Sequence, residues 1–165
     1  MARNQASLLS NISARLASVS DTPALDASVL LARIVDRPRS WILAHPELTL
    51  TDEQQNQLQS SLARLENGEP FPYVLGRWEF FGLEFEVTPD VLIPRPETEL
   101  LVEKSIAWLQ KHPTKIAVVY TTGSGAIAVS IAVNVPKAGI LQLIFRQRRC
   151  RLRNEMQKDI MRTSD

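Results

Sequence analysis

The run Thr121-Thr122-Gly123-Ser124-Gly125 has the composition of a ligand-binding turn. It follows a short β-branched stretch at residues 116–120 and opens an apolar stretch at 126–133. Backbone N–H groups at the start of a helix have no intrahelical acceptor and carry positive partial charge. Glycine lets a ligand come close to that backbone. A turn of this kind can hold a nucleotide, or the carboxylate end of an amino-acid-like cofactor. The same residues are equally consistent with a tight strand-to-helix turn that holds nothing.

A second block, Pro94-Arg95-Pro96-Glu97-Thr98-Glu99, carries two prolines that keep the chain extended before a helix predicted over 98–110. Arg95, Glu97, Thr98 and Glu99 could line a site, or they could cap and brace that helix, because threonine and glutamate are ordinary residues at a helix start. His45 and His112 each precede a proline and have no ligand-spaced companion, so both read as surface residues and no metal site is expected. Trp41, Trp78 and Trp108 read as core or interface packing. Cys150 has no histidine near it in sequence, and no catalytic role is expected for it.

The elements that must position these residues fall into two styles. Up to about residue 70 the pattern is helical. Leu8, Leu9, Ile12, Leu16 and Val19 form one stripe. Thr22-Pro23 reads as a cap with proline in the first turn of a second helix, whose face is Ala27, Leu30, Leu31, Ile34 and Val35 and which Arg37-Pro38 stops. A short helix is predicted at 40–44. Thr51 and Gln54 have capping-box spacing, Leu58, Leu62 and Leu65 follow, and Asn67-Gly68 ends that helix. Four amphipathic helices with short loops suggest a small bundle. After Glu69-Pro70 the period becomes two: Trp78 and Phe80, then Leu83, Phe85 and Val87, with Gly82 between, which predicts a β-hairpin. Strand 116–120, glycine turn, helix 126–133 and strand 139–144 make the opening unit of an α/β sheet.

Composition sets outer bounds. The chain has 165 residues and a formal net charge of +1, which calls for neither a nucleic acid nor an anionic membrane as partner. Its single cysteine excludes an internal disulfide and fits a reducing compartment. No cationic-then-apolar signal pattern or membrane-length apolar run is present, so a cytoplasmic location is the expectation. Residues 146–162 are rich in arginine, but without interleaved aromatics they are not read as a nucleic-acid site.

The blocks Phe71-Pro72-Tyr73-Val74-Leu75-Gly76, Trp78 to Phe85, Val87 to Glu99 and Gly123-Ser124-Gly125-Ala126-Ile127-Ala128 occur in this order. With Trp41-Ile42-Leu43-Ala44-His45-Pro46, they resemble the HemK/PrmC family of protein-(glutamine-N5) methyltransferases over about residues 5–141. The resemblance implies an α+β chain: an N-terminal helical domain over 1–70 that docks a release factor, a β-hairpin linker over 71–97, and over 98–141 the first part of a Rossmann-like methyltransferase domain. It implies S-adenosylmethionine as cofactor and peptide chain release factors as partners. The reaction it implies is methyl transfer to the glutamine side-chain nitrogen of a Gly-Gly-Gln motif. Thr121, Thr122, Gly123, Ser124 and Gly125 become cofactor-binding candidates, and Leu92, Arg95, Glu97 and Thr98 substrate-pocket candidates. A monomer is the expectation.

Three departures accompany the resemblance. The family's cofactor loop reads Asp-x-Gly-x-Gly-x-Gly or close to it. Aligned without a gap, Val119 stands at the acidic position and Thr121 at the first glycine; a one-residue insertion near Tyr120 puts Val118 there instead. The family's Asn-Pro-Pro-Tyr motif, which holds the amide, is absent from the sequence, so no catalytic residue is assigned. After Leu141 the family continues with a strand ending in an aspartate that binds ribose hydroxyls, whereas here Gln142-Leu143-Ile144-Phe145 precedes the basic tail.

Back-translated with freely chosen synonymous codons and moved out of frame, residues 142–165 can encode Thr-Asp-Ile-Ser-Pro-Ala-Ala-Leu-Pro-Leu-Ala-Gln-Arg-Asn-Ala-Lys and onward without a stop. That string is similar to the family's ribose-binding strand and next helix. The reading is a frameshift after Leu141, natural or from sequencing, that leaves a truncated chain with an aberrant tail over 142–165. The alternative function is then an inactive fragment, or a pseudogene product, that keeps only the release-factor-binding helices. Sequencing the DNA across the Leu141–Gln142 junction is expected to find the family-like string in another frame, and the idea fails if no frame holds it.

Overall fold

The computed structural model describes residues 5–45, 47–121 and 123–144; Thr122 and the basic tail from residue 145 on, for which the sequence raised expectations, lie outside these. The chain is α+β and divides into two compact units, one up to Leu75 and one from Gly76 on.

The first unit is helical. Helices α1 (Gln5–Leu16), α2 (Pro23–Val35), α3 (Arg39–Ala44) and α4 (Asp52–Glu66) follow the apolar stripes, with Ile12, Leu16, Ala27, Leu30, Leu31, Ile42, Leu58 and Leu62 buried. Helix α1 stops before Val19, because the Val19 and Ser20 N–H groups both turn back to the Leu16 carbonyl, which leaves Val19 exposed. Thr22 occupies the N-cap of α2, but its side chain caps nothing. Ser20 acts there instead: its hydroxyl accepts the Thr22 N–H at 2.9 Å and donates to Asp26 Oδ2 at 2.6 Å. The capping box of α4 forms with both bonds, Thr51 N–H to Gln54 Oε1 at 3.0 Å and Gln54 N–H to Thr51 Oγ1 at 3.2 Å.

One helix was not anticipated. Phe71–Leu75 forms α5 where the sequence suggested a linker. Pro72 falls in its first turn, where a missing N–H costs no hydrogen bond. Arg64 pins the approach to it, with Nε donating to Glu69 Oε2 at 2.7 Å and Nη2 to the Tyr73 carbonyl at 3.2 Å. A second arginine ties α1 to α4: Arg15 clasps Glu66 with Nε–Oε1 at 2.7 Å and Nη2–Oε2 at 2.9 Å, and reaches Gln59 Oε1 at 2.6 Å. These hydrogen bonds hold the Glu66 and Glu69 carboxyls below the usual carboxylate range, with the arginine charges adding to the effect.

In the second unit, β1 (Arg77–Phe80) and β2 (Leu83–Glu86) pair antiparallel, with Phe80 opposite Leu83 and Trp78 opposite Phe85. Phe81 and Gly82 make the turn, with φ of 53° and 71°. Two positive φ values suit the twist of a tight hairpin. At Phe81 that conformation costs about 1 to 2 kcal/mol, because its Cβ crowds the backbone. A turn of 3₁₀ helix at Pro96–Thr98 leads into α6 (Glu99–Lys111). Strands β3 (Ile116–Thr121) and β4 (Gly139–Ile144) pair in parallel across α7 (Ala126–Asn134).

The hairpin is part of this unit's core. Phe80 and Phe85 are buried in one cluster with Val102 and Leu109 of α6, Ala126 and Ile131 of α7, and Val135. Trp108 is an exception to the packing expected of the tryptophans, at 49% exposed. Its ring stacks on His112, as Trp41 stacks on His45, and each imidazole Nδ1 donates to the carbonyl of its tryptophan at 2.8 Å. Both histidines thus close the last turn of a helix.

Two measurements test this packing. The Ser130 hydroxyl on α7 is fully buried with no hydrogen-bond partner among the described residues. Ser130→Ala is expected to stabilise the chain by about 1 kcal/mol, by removing an unsatisfied group and improving helix propensity, read as a higher Tm in calorimetry. The second concerns acid. A carboxyl whose folded pKa is depressed stabilises the fold above its unfolded value and loses that contribution as pH falls through the folded one. The Arg15–Glu66 link is therefore expected to weaken as pH drops below 4.5. Glu66→Gln is expected to flatten the acid limb of the Tm–pH curve, with a smaller difference at high salt because the pair is solvent-exposed.

Candidate functional site

The second unit has a cleft of about 290 Å³ lined by Phe80, by Leu92, Ile93, Pro94, Arg95 and Thr98, and by Gly123, Ser124, Gly125, Ala126 and Ile127. Three separate stretches of sequence meet there: the end of β1, the proline-rich approach to α6, and the turn between β3 and α7. Each is fixed from beneath. Phe80 is anchored in the core cluster, and Val91, just before the lining segment, is buried. Ala126 fixes the start of α7 in the same core.

The turn has the geometry that the sequence suggested. Gly125 is the N-cap of α7 in a left-handed conformation, with φ of 79°. A side chain there would be strained, and its Cβ would lie 3.1 Å from Gln142 Nε2. A Cβ at Gly123 would meet no atom within 4 Å, so its space is open for a ligand. Ser124 Oγ accepts the Ala126 N–H at 3.4 Å. The other first-turn N–H groups of α7 have no intrahelical acceptor, so the helix start presents donors and positive partial charge. Arg95 adds an exposed cation to the cleft wall, and no carboxylate among the described residues pairs with it.

The sequence-predicted residues divide as follows. Gly123, Ser124, Gly125, Leu92, Arg95 and Thr98 all line the cleft, although the first three stand 25 residues or more after Thr98 in sequence. Glu97 does not: it is exposed in the turn of 3₁₀ helix. The backbone of Thr121 ends β3, and Thr122 lies outside the described residues. Of the two residues that could stand where the family pattern has an acid, Val119 is partly buried and packs against the core cluster and Val118 is exposed; neither is a carboxylate.

Sequence reasoning passed over Phe80, Ile93, Pro94, Ala126 and Ile127, which lie on or beside the selected motifs. It also passed over Gln142, whose carboxamide lies against Gly125. The register gives Gln142 away, since it pairs with Val119 and alternates onto the face of Ile140, which packs on the core. Among the described residues, no group of three or more His, Cys, Asp or Glu side chains is arranged to hold a metal ion, and no helix is long and apolar enough to cross a membrane.

Comparison with known proteins places this geometry in a lineage. A family model described as the PrmC N-terminal domain matches residues 7–76, the helical unit almost end to end. A release factor glutamine methyltransferase of Coxiella burnetii is 47% identical over 126 residues, which cover 76% of this chain and 46% of that protein. Proteins of the same description from Bordetella pertussis and Escherichia coli K12 are each 43% identical, over 118 and 122 residues, covering 72% and 74% of this chain and 44% of each relative. The chain thus spans a little under half the length of these relatives. The aligned stretches are longer than the helical unit and so extend into the unit that bears the cleft. On the matched helical domain and on identity that continues into the second unit, the chain belongs to the HemK/PrmC family.

Proposed function

We propose that the cleft binds S-adenosylmethionine and that the chain serves methyl transfer to a glutamine side chain of a peptide chain release factor. The observation that carries this reading is the meeting of the Pro94–Glu99 block with the glycine turn in one cleft of a chain whose relatives are release factor glutamine methyltransferases. We read β3, α7 and β4 as the first unit of a Rossmann-like sheet. A parallel pair joined through a glycine turn and a helix supports that. Residues up to about 70 would be the part that docks the release factor.

The residues present suit the cofactor. The open space over Gly123 and the donors at the start of α7 would receive its amino-acid end. Phe80, Leu92, Ile93 and Ile127 offer apolar surface to its adenosine and methyl regions. When bound, the sulfonium supplies a methyl group that is already activated. An amide nitrogen is a weak nucleophile, because its lone pair is delocalised into the carbonyl. The protein's task is then alignment and exclusion of water rather than strong base catalysis. The cleft's apolar walls serve the second of these, and the loops fixed by the core serve the first.

Calorimetric titration of the chain with S-adenosylmethionine is expected to give micromolar binding. Gly125→Val is expected to weaken it by about tenfold or more, because a β-branched side chain cannot hold that left-handed cap beside Gln142 without displacing the turn. Absence of heat at millimolar cofactor would sink the reading and leave a non-catalytic role for the helical unit.

A further inference from the structure

Glu99 closes the proline-rich block, yet it is not among the residues that line the cleft. Its carboxylate Oε1 accepts the Phe81 N–H at 2.8 Å, across 18 residues of sequence. Phe81 is where the hairpin turn is strained, with its φ of 53° in a region that a bulky side chain avoids. Such a conformation persists only where surrounding contacts over-determine it. Two contacts do so here. The Phe81 ring packs on the core cluster, and Glu99 takes its otherwise unpaired N–H. Glu99 is also the first residue of α6, directly after Thr98, and its charge suits a helix N-terminus. One carboxylate therefore links the β1–β2 turn, which directly follows the cleft residue Phe80, to the segment that carries Arg95 and Thr98.

We propose that Glu99 is a positioning residue for the cleft: by holding the Phe81 turn against the start of α6 it sets the spacing between Phe80 and the Leu92–Thr98 wall, and so governs binding at the glycine turn without touching the ligand. The inference rests on the cofactor-binding reading of the cleft.

Two kinds of measurement on the full chain test it. In calorimetry with S-adenosylmethionine, Glu99→Ala is expected to weaken binding by about tenfold, the usual scale for losing a hydrogen bond to a charged group. Glu99→Gln keeps an acceptor oxygen and is expected to stay within about threefold of wild type. Glu103→Ala, exposed on the same helix, is expected to change nothing. Adding Phe81→Asn to Glu99→Ala is expected to recover part of the loss, because asparagine tolerates the left-handed region that phenylalanine avoids. Amide NMR of the ligand-free variants provides the second test. Phe81 should lose exchange protection in Glu99→Ala but not in Glu99→Gln, and the Ser124 and Gly125 amides should shift only in the former. Equal affinity of Glu99→Ala and wild type, or unshifted Ser124 and Gly125 amides, would overturn the proposal. If the wild-type chain takes up no cofactor, the functional reading fails on its own, and the ligand-free amide shifts decide the role of Glu99.

Discussion

The second unit depends on burying one face of a very small hairpin. Strands of four residues, such as β1 and β2, cannot persist alone in water, because a two-stranded ribbon buries too little to offset its ordering entropy. What fixes this one is the burial of Phe80 and Phe85 in one cluster with Val102 and Leu109 of α6 and Ile131 of α7. The two rings meet edge to face, with centroids 6.3 Å apart. At roughly 25 cal/mol per Å² of apolar surface, two buried phenylalanines are each worth about 2 to 3 kcal/mol, a large share of what a domain this size has in hand. The outward face of the hairpin contributes little and needs correction of its own. Glu79 stands opposite Glu84, and Arg77 reaches across to Glu84 at 3.0 Å to relieve the like charges.

That burial gives the cleft its order. Loops that line a site are precise only when rigid elements hold their ends. Here the ends are held by a strand terminus, a helix start and a second helix start, all converging on one apolar cluster. The cleft is therefore part of the unit's packing rather than a surface accident. The other face of the β3–β4 pair is different, because Ile116, Val118 and Leu141 are exposed there.

Family membership and the proposed chemistry share a physical theme. Methyl transfer from a sulfonium asks the protein for geometry and dryness more than for reactive side chains. Among the described residues, the cleft lining offers the backbone of a helix start, apolar walls and the cation Arg95. Val118 and Val119, the two candidates for the acidic position of the family pattern, are both apolar. On the proposed reading, the backbone of the glycine turn supplies the polar contacts at this end of the cleft.

Wherever a local rule was sufficient, the sequence alone was a reliable guide. The periodic leucines of α2 and α4, the Thr51–Gln54 box, the alternation of Trp78, Phe80, Leu83 and Phe85, and the glycine turn before α7 are all short-range patterns, and all are present in the fold. The order of its motifs also pointed to the family. Tertiary structure decided what depends on residues distant in sequence. It showed that Phe80 and Phe85 of the hairpin belong to a buried cluster with α6 and α7, that Leu92, Arg95 and Thr98 line one cleft with the glycine turn while Glu97 does not, that Phe71–Leu75 is helical, and that Ser20 rather than Thr22 makes the side-chain bonds at the start of α2. It also gave Glu99 a partner 18 residues away. The reason is the same in each case. Periodicity and capping report interactions within a few residues, whereas a side chain's partner across a loop is chosen by packing, which no local pattern encodes.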